Sequence, residues 1–162
     1  MDARRGLNGA LAGSAAAGVW ALQQPLDKRA FRCGYDDVEI LGKLVTHGAA
    51  WPAVGSALHV GNGALFGAVY ALARARVPGP AVAHGVAAGV VEHLGLWPLT
   101  RLVDRHHPAR REMTTLAGNT RAFLQALWRH LLFGVVLGVL EGRLNRPPRV
   151  PLASLDSGAG PE

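Results

Sequence analysis

Three histidines in this chain sit at the ends of small-residue stripes. His59 is followed by Gly63 and Gly67, and His130 by Gly134 and Gly138. Gly85, Gly89 and His93 repeat the pattern in reverse. Four-residue spacing places each histidine and its glycines on one stripe of a helix. If the middle segment runs antiparallel to the other two, all three imidazoles face inward at one level, with Glu92 beside His93. Three imidazoles and a carboxylate in a bundle core are a candidate metal set for zinc or a redox metal. Paired histidines across helices would equally suit haem. The set His59, His93, His130 and Glu92 lacks the tight H-x-x-x-H or E-x-x-H spacing of a dedicated motif. No cofactor is therefore predicted outright, and metal or haem binding stands as the alternative. The preferred reading is structural. Gly63, Gly67, Gly85, Gly89, Gly134 and Gly138 let helix backbones approach closely in lipid, and a histidine at the end of the seam can donate to a neighbouring carbonyl.

Glu92 is an ionisable group inside an apolar run, which is a functional hypothesis by default. Arg129 lies at a similar depth, so a Glu92–Arg129 pair would satisfy both charges and set the helix register. The alternative is that Glu92, His93 and His59 pass protons, making the protein a transport or acid-sensing element. The ion pair is preferred, and no residue is assigned a catalytic role. His84 lies towards the opposite face, while His47, His106 and His107 fall in loops and are expected to be solvated.

The elements that must position these groups follow from hydropathy. The 162 residues suit one domain; 49% are hydrophobic and the mean hydropathy is +0.17. That average conceals segregation, because the charges cluster between long runs rich in Gly and Ala. Four apolar spans are predicted at 7–22, 54–72, 81–99 and 122–140. The first is closed by Gln23-Gln24-Pro25; Val19-Trp20-Ala21 loosely fits a signal cleavage site, but the segment is expected to be retained. In the loop 27–52, Asp36 and Asp37 can cap a helix carrying Val38, Leu41, Leu44 and Val45. It reads as an amphipathic helix on the membrane surface, or equally as one packed over the bundle end. Val77-Pro78-Gly79-Pro80 is a tight turn that makes the second and third spans an antiparallel hairpin. Asn119 or Thr120 can cap the fourth span after a polar loop at 101–120. The fold class is thus all-α: a polytopic four-helix transmembrane domain over 1–143, with 144–162 expected to be a disordered tail.

The formal charge is +6 and the pI near 10.7. Basic residues flank the apolar runs and no nucleic-acid motif is present, so anionic lipid headgroups are the expected partner rather than DNA or RNA. Small-residue helix faces also leave room for a homo-oligomer. Cys33 is the only cysteine, which excludes an intrachain disulfide. His59, Gly63 and Gly67 recur 71 residues later as His130, Gly134 and Gly138, and Ala16-Ala17-Gly18-Val19 recurs at the same offset as Ala87-Ala88-Gly89-Val90. One offset for both helix pairs predicts two tandem two-helix repeats, related by an axis along the membrane normal. The face with the termini and the short turn carries Arg4, Arg5, Arg74, Arg76, Arg143, Arg146 and Arg149. The loop face carries Lys28, Arg29, Arg32, Lys43, Arg101, Arg105, Arg110, Arg111 and Arg121, spread over longer loops. Weighting short loops and helix ends puts the termini in the cytoplasm.

The region 59–143 resembles the YagU-like family of small bacterial inner-membrane proteins of unknown function. The matching features are a His-headed second span ending in Tyr70, then Gly85-x-x-Ala88-Gly89 in the third. His93 and Pro98 follow, separated by four residues and continuing into Leu99, and His130 lies in the fourth span. The resemblance implies a four-helix, multi-pass protein of the bacterial inner membrane linked to acid tolerance, and it supplies no catalytic residues. The expected function is therefore structural or stress-related. A metal- or haem-binding redox protein and a small proton-linked transporter are the alternatives.

Overall fold

A computed structural model of the chain describes residues 2–146, so most of the expected tail at 144–162 lies outside the described residues. The described residues are helical, with no strand among them. The helices are α1 (Asp2–Phe31), α2 (Asp37–Val45), α3 (Trp51–Arg74), α4 (Ala81–Leu96), α5 (Thr100–His106) and α6 (Thr120–Leu144). A 3-10 turn at Trp97–Leu99 joins α4 to α5.

Local chemistry explains most of the boundaries. The Asp36 carboxylate caps α2 by accepting from the Glu39 amide at 3.0 Å. Asn119 caps α6, accepting from the amides of Arg121 and Ala122. Pro52 sits in the first turn of α3, where its missing N–H costs nothing. Pro98 tightens the end of α4 into the 3-10 turn, and Thr100 Oγ1 donates to the Trp97 carbonyl at 2.6 Å. Pro25 does not end α1. The helix runs on to Phe31 and closes with Cys33 donating to the Lys28 carbonyl and Arg32 to that of Arg29, Arg32 adopting φ 50°. Asp27, expected in a loop, is therefore helical, as is the first part of the loop expected at 101–120.

The four long helices pack in the order α3, α1, α6, α4. α1 packs antiparallel on α3, and α4 packs antiparallel on α6. α1 also packs on α6, whereas α3 and α4 barely touch although only a short turn joins them. Both described chain ends lie at the end of the bundle bearing that turn: Asn8 donates to the Leu144 carbonyl, and Asn145 to that of Arg5. α2 packs over the opposite end against α3, with Gly42 and Gly55 bringing the two backbones together. It thus takes the bundle-end position, while Leu44 and Val45 stay exposed.

The six seam glycines all lie at helix–helix contacts. A methyl group at Gly63 would lie 2.6 Å from Ala17 Cβ and 2.7 Å from the Gly13 carbonyl oxygen, while one at Gly67 would meet the Gly9 carbonyl. A methyl at Gly134 would meet the Gly85 carbonyl; one at Gly138 would lie 2.6 Å from the Ala81 oxygen, and one at Gly89 2.5 Å from the His130 oxygen. Gly9 and Gly13 complete the first seam, and the sequence reading did not single them out. Among the described residues, two helices, α3 and α6, are long and apolar enough to cross a membrane. α4 has only 16 residues, and the apolar run of α1 is diluted by Asn8, Ser14 and its glycines.

Candidate functional site

The three seam histidines meet at the loop end of the bundle, where they line one cavity of about 290 Å³ together with Glu92. They form a row with Trp20 inserted in it. Trp20 stands edge-on to His59 at 5.2 Å between ring centroids and to His130 at 4.7 Å. His93 continues the row 5.0 Å from His130 and packs on Phe123 and Trp97. Trp20 arrives here because it shares a stripe of α1 with Ala16 and Ala17, whose small side chains admit α3 and α6. His130 Nδ1 donates to the Ala126 carbonyl one turn back at 2.8 Å, which fixes the ring and leaves Nε2 unprotonated in the neutral imidazole. His59 and His93 are buried, 8% and 2% exposed, and their Nε2 atoms have no hydrogen-bond partner among the described residues.

The row is poorly arranged for a metal. Among the described residues no three His, Cys, Asp or Glu side chains converge as a bound ion would require, because the Trp20 indole separates His59 from His130. The same spacing bears on haem. Two imidazoles packed ring to ring at 5.0 Å have no room for a macrocycle between them.

Arg129 corrects the expected ion pair with Glu92. It is fully buried and turns towards α1 and the first loop. Its Nε and Nη2 donate to the two Asp27 oxygens at 2.6 Å each, and its Nη1 donates to Asp37 at 2.8 Å. Nη2 also donates to the Tyr35 carbonyl at 3.0 Å, and the guanidinium lies over the Tyr35 ring. Gln125 donates to Asp27 at 2.6 Å, Gln23 donates to it from one turn back on α1, and Trp20 Nε1 donates to Asp37 at 3.1 Å. The reason is geometric. Arg129 precedes His130 by one residue, so it lies about 100° round the helix from the stripe that faces α4. Glu92 has no ion-pair partner among the described residues and remains half-buried at the cavity wall.

Asp37 links the two features, since it pairs with Arg129 and lines the cavity. Burial acts to raise its pKa, but the Arg129 charge and the hydrogen bond from the Tyr35 hydroxyl outweigh it and hold the carboxyl below its ordinary range. The Tyr35 hydroxyl is pushed well above its ordinary range, first by burial and then by the neighbouring Asp37 charge.

Other expected residues fall elsewhere. His107 is buried rather than solvated: Nε2 donates to the Ile40 carbonyl at 2.9 Å and Nδ1 accepts from the Ala109 amide at 3.1 Å, pinning the second loop onto α2. His47 and His106 are exposed, and His84 lies near the short turn beside Gly79. At the turn end of the bundle, Arg74 pairs at 3.0 Å with Glu141, which is fully buried and also accepts from Asn145. The sequence reading missed Trp20, Gln125, Asp27, Asp37, Tyr35 and Glu141. A signal for the first cluster lies in Trp20, Gln24 and Asp27, which fall at helical spacing, but Pro25 obscures it because a proline ordinarily ends or kinks a helix.

Comparison of the chain with known protein families, curated proteins and solved structures finds none that matches it.

Proposed function

We propose that this chain is a four-span integral protein of the bacterial inner membrane, structural or acid-tolerance in type and with no evident catalysis. The observation that carries the reading is that the largest buried side chains are mostly polar while many large apolar ones face outward. Among the described residues, four of the five largest fully buried side chains are polar: Arg129, His93, Gln125 and Glu141. Leu22, Leu65 and Val91 meanwhile stand outward at 83%, 67% and 70% exposure, among many other exposed Leu and Val residues. In water the burial of apolar area drives folding and this arrangement forfeits it. In lipid, apolar side chains gain nothing by going inside, and close backbone packing with interhelical hydrogen bonds holds helices together.

Beyond α3 and α6, the reading takes α1 and α4 as the other two spans. Helical backbone runs unbroken from 81 to 106 through the 3-10 turn, and α1 has 30 residues, so both have the length that a crossing of about 20 residues needs. The tandem duplication belongs to the same reading: Gly63 faces Gly13 and Gly134 faces Gly85, displaced by 71 residues in one helix but by 72 in the other, one more than the single offset expected. The resemblance of 59–143 to the YagU-like family supports the location, and arginines and lysines at both bundle ends suit anionic headgroups. The termini are assigned to the cytoplasm. Because the seam glycines are engaged within the chain, any homo-oligomer would use other small faces, such as those at Gly61 and Gly95, which have open space around them.

The test is alkaline carbonate extraction, followed by labelling of single cysteines in intact cells after replacing the buried Cys33. The protein should stay with the membrane, a cysteine at Arg111 should label, and one in the C-terminal tail should not. Release into the soluble fraction would overturn the membrane reading. Labelling of the tail with the loops protected would reverse the orientation.

A further inference from the structure

We infer that the histidine-lined cavity is a binding site for a small, neutral, planar ring bearing hydrogen-bonding oxygens, namely the headgroup of a membrane-dissolved quinone. The inference rests on the membrane reading above and goes beyond it by naming a ligand class. The first observation is the pair of buried imidazoles, His59 and His93, whose rings line the cavity and whose buried Nε2 atoms have no hydrogen-bond partner among the described residues. A buried polar atom left unpaired is costly, and a ligand oxygen or hydroxyl would satisfy each one. The second is the wall material. Trp20, Trp97, Phe66 and Phe133 surround the histidines, so the space is mostly apolar with a few polar points, the usual make-up of a small-molecule site.

The third observation is access. α3 and α4 barely touch, and exposed cavity-lining residues from both sides, Asn62 on α3 and Leu96 on α4, mark a lateral opening between them. A ligand carried in the bilayer can enter there with its chain left in lipid.

Charge decides among lipid-borne ligands. Arg129, a buried cation, is committed to Asp27 and Asp37, and among the described residues no Lys or Arg lines the cavity to meet a phosphate or a fatty-acid carboxylate. Glu92 and Asp37 on the cavity wall would repel either anion. Neutral imidazoles suit a neutral ring, since each can donate to a carbonyl or accept from a hydroxyl. Binding is the whole of the proposal, and no electron transfer is assigned.

The experiment titrates decyl-benzoquinone into the full chain in phosphatidylethanolamine–phosphatidylglycerol nanodiscs, reading quenching of tryptophan fluorescence, with Trp20 and Trp97 as the reporters in the cavity wall. Saturable quenching is expected. His93→Phe should weaken it about tenfold by removing one hydrogen bond while keeping the ring. Asn62→Phe, at the exposed lip, should obstruct entry without touching the core or adding a fluorophore that reports at these wavelengths, and serves if the His93 variant does not fold. Quenching that never saturates, or that neither variant changes, would overturn the inference. So would equal competition by oleate. A protein that inserts into the nanodisc but binds no quinone refutes only this inference, whereas one that will not insert refutes the membrane reading beneath it.

Discussion

The two helix pairs are built alike at their centres and differently at their ends. In α1 with α3, and in α4 with α6, glycines bring antiparallel backbones into direct contact, and an aromatic ring from the first helix of each pair packs on His130. Those rings are Trp20 and His93, and each is followed five residues later by a proline. Past that point the pairs part. α1 carries on through Pro25 and delivers Asp27 to Arg129, whereas α4 tightens at Pro98 into the 3-10 turn that leads to α5. α1 is thus locked to α6 by buried charge, while the end of α4 lines the cavity. The difference shows that a glycine seam specifies how close two helices come. What happens beyond the seam depends on the polar residues at its end.

The comparison breaks most severely at Arg129. Arg129→Met leaves Asp27 buried and unpaired and should destabilise the protein by about 3–5 kcal/mol, read as loss of thermal stability in detergent. Adding Asp27→Leu removes the stranded charge and should restore much of that loss. If the single variant melts with the parent, the buried charge does not lock α1 to α6.

The seams come next. Gly63→Ala and Gly134→Ala each place a methyl group against backbone of the facing helix, and each should cost about 1–3 kcal/mol. The two losses should be similar if the pairs are equivalent. Gly61→Ala and Gly95→Ala, in open space, should be neutral or slightly stabilising. A large loss at Gly63 with none at Gly134 would show that the pairs are not equivalent.

The smallest effect concerns pH. Asp37 has a folded pKa below its ordinary value, so its contribution is present above the unfolded pKa of about 3.9 and fades as pH falls through the lower folded value. Asp37→Asn should therefore melt below the parent at neutral pH, and the gap should narrow only in strong acid, below about pH 4. A gap that closes between pH 5 and 7 would assign the stabilisation to another group.

The all-helical class, the turn at Val77-Pro78-Gly79-Pro80, the caps at Asp36 and Asn119 and the stripes carrying the three histidines were legible in the chain by itself. Each depends on neighbours within about one or two helical turns, where spacing fixes which residues share a face. The sequence also held the inside-out clue that Gly, His and Ala recur at the spacing of a packing face while Leu and Val fall between them. Tertiary structure alone decided the partners. Gly63 and Gly67 meet Gly9 and Gly13 of α1, α3 and α4 stay apart despite their short turn, and Arg129 reaches Asp27, 102 positions away in the chain, instead of Glu92. Periodicity gives the angle of a side chain about its own helix axis. It cannot say which neighbouring helix stands at that angle, because that is set by the joint packing of all four helices.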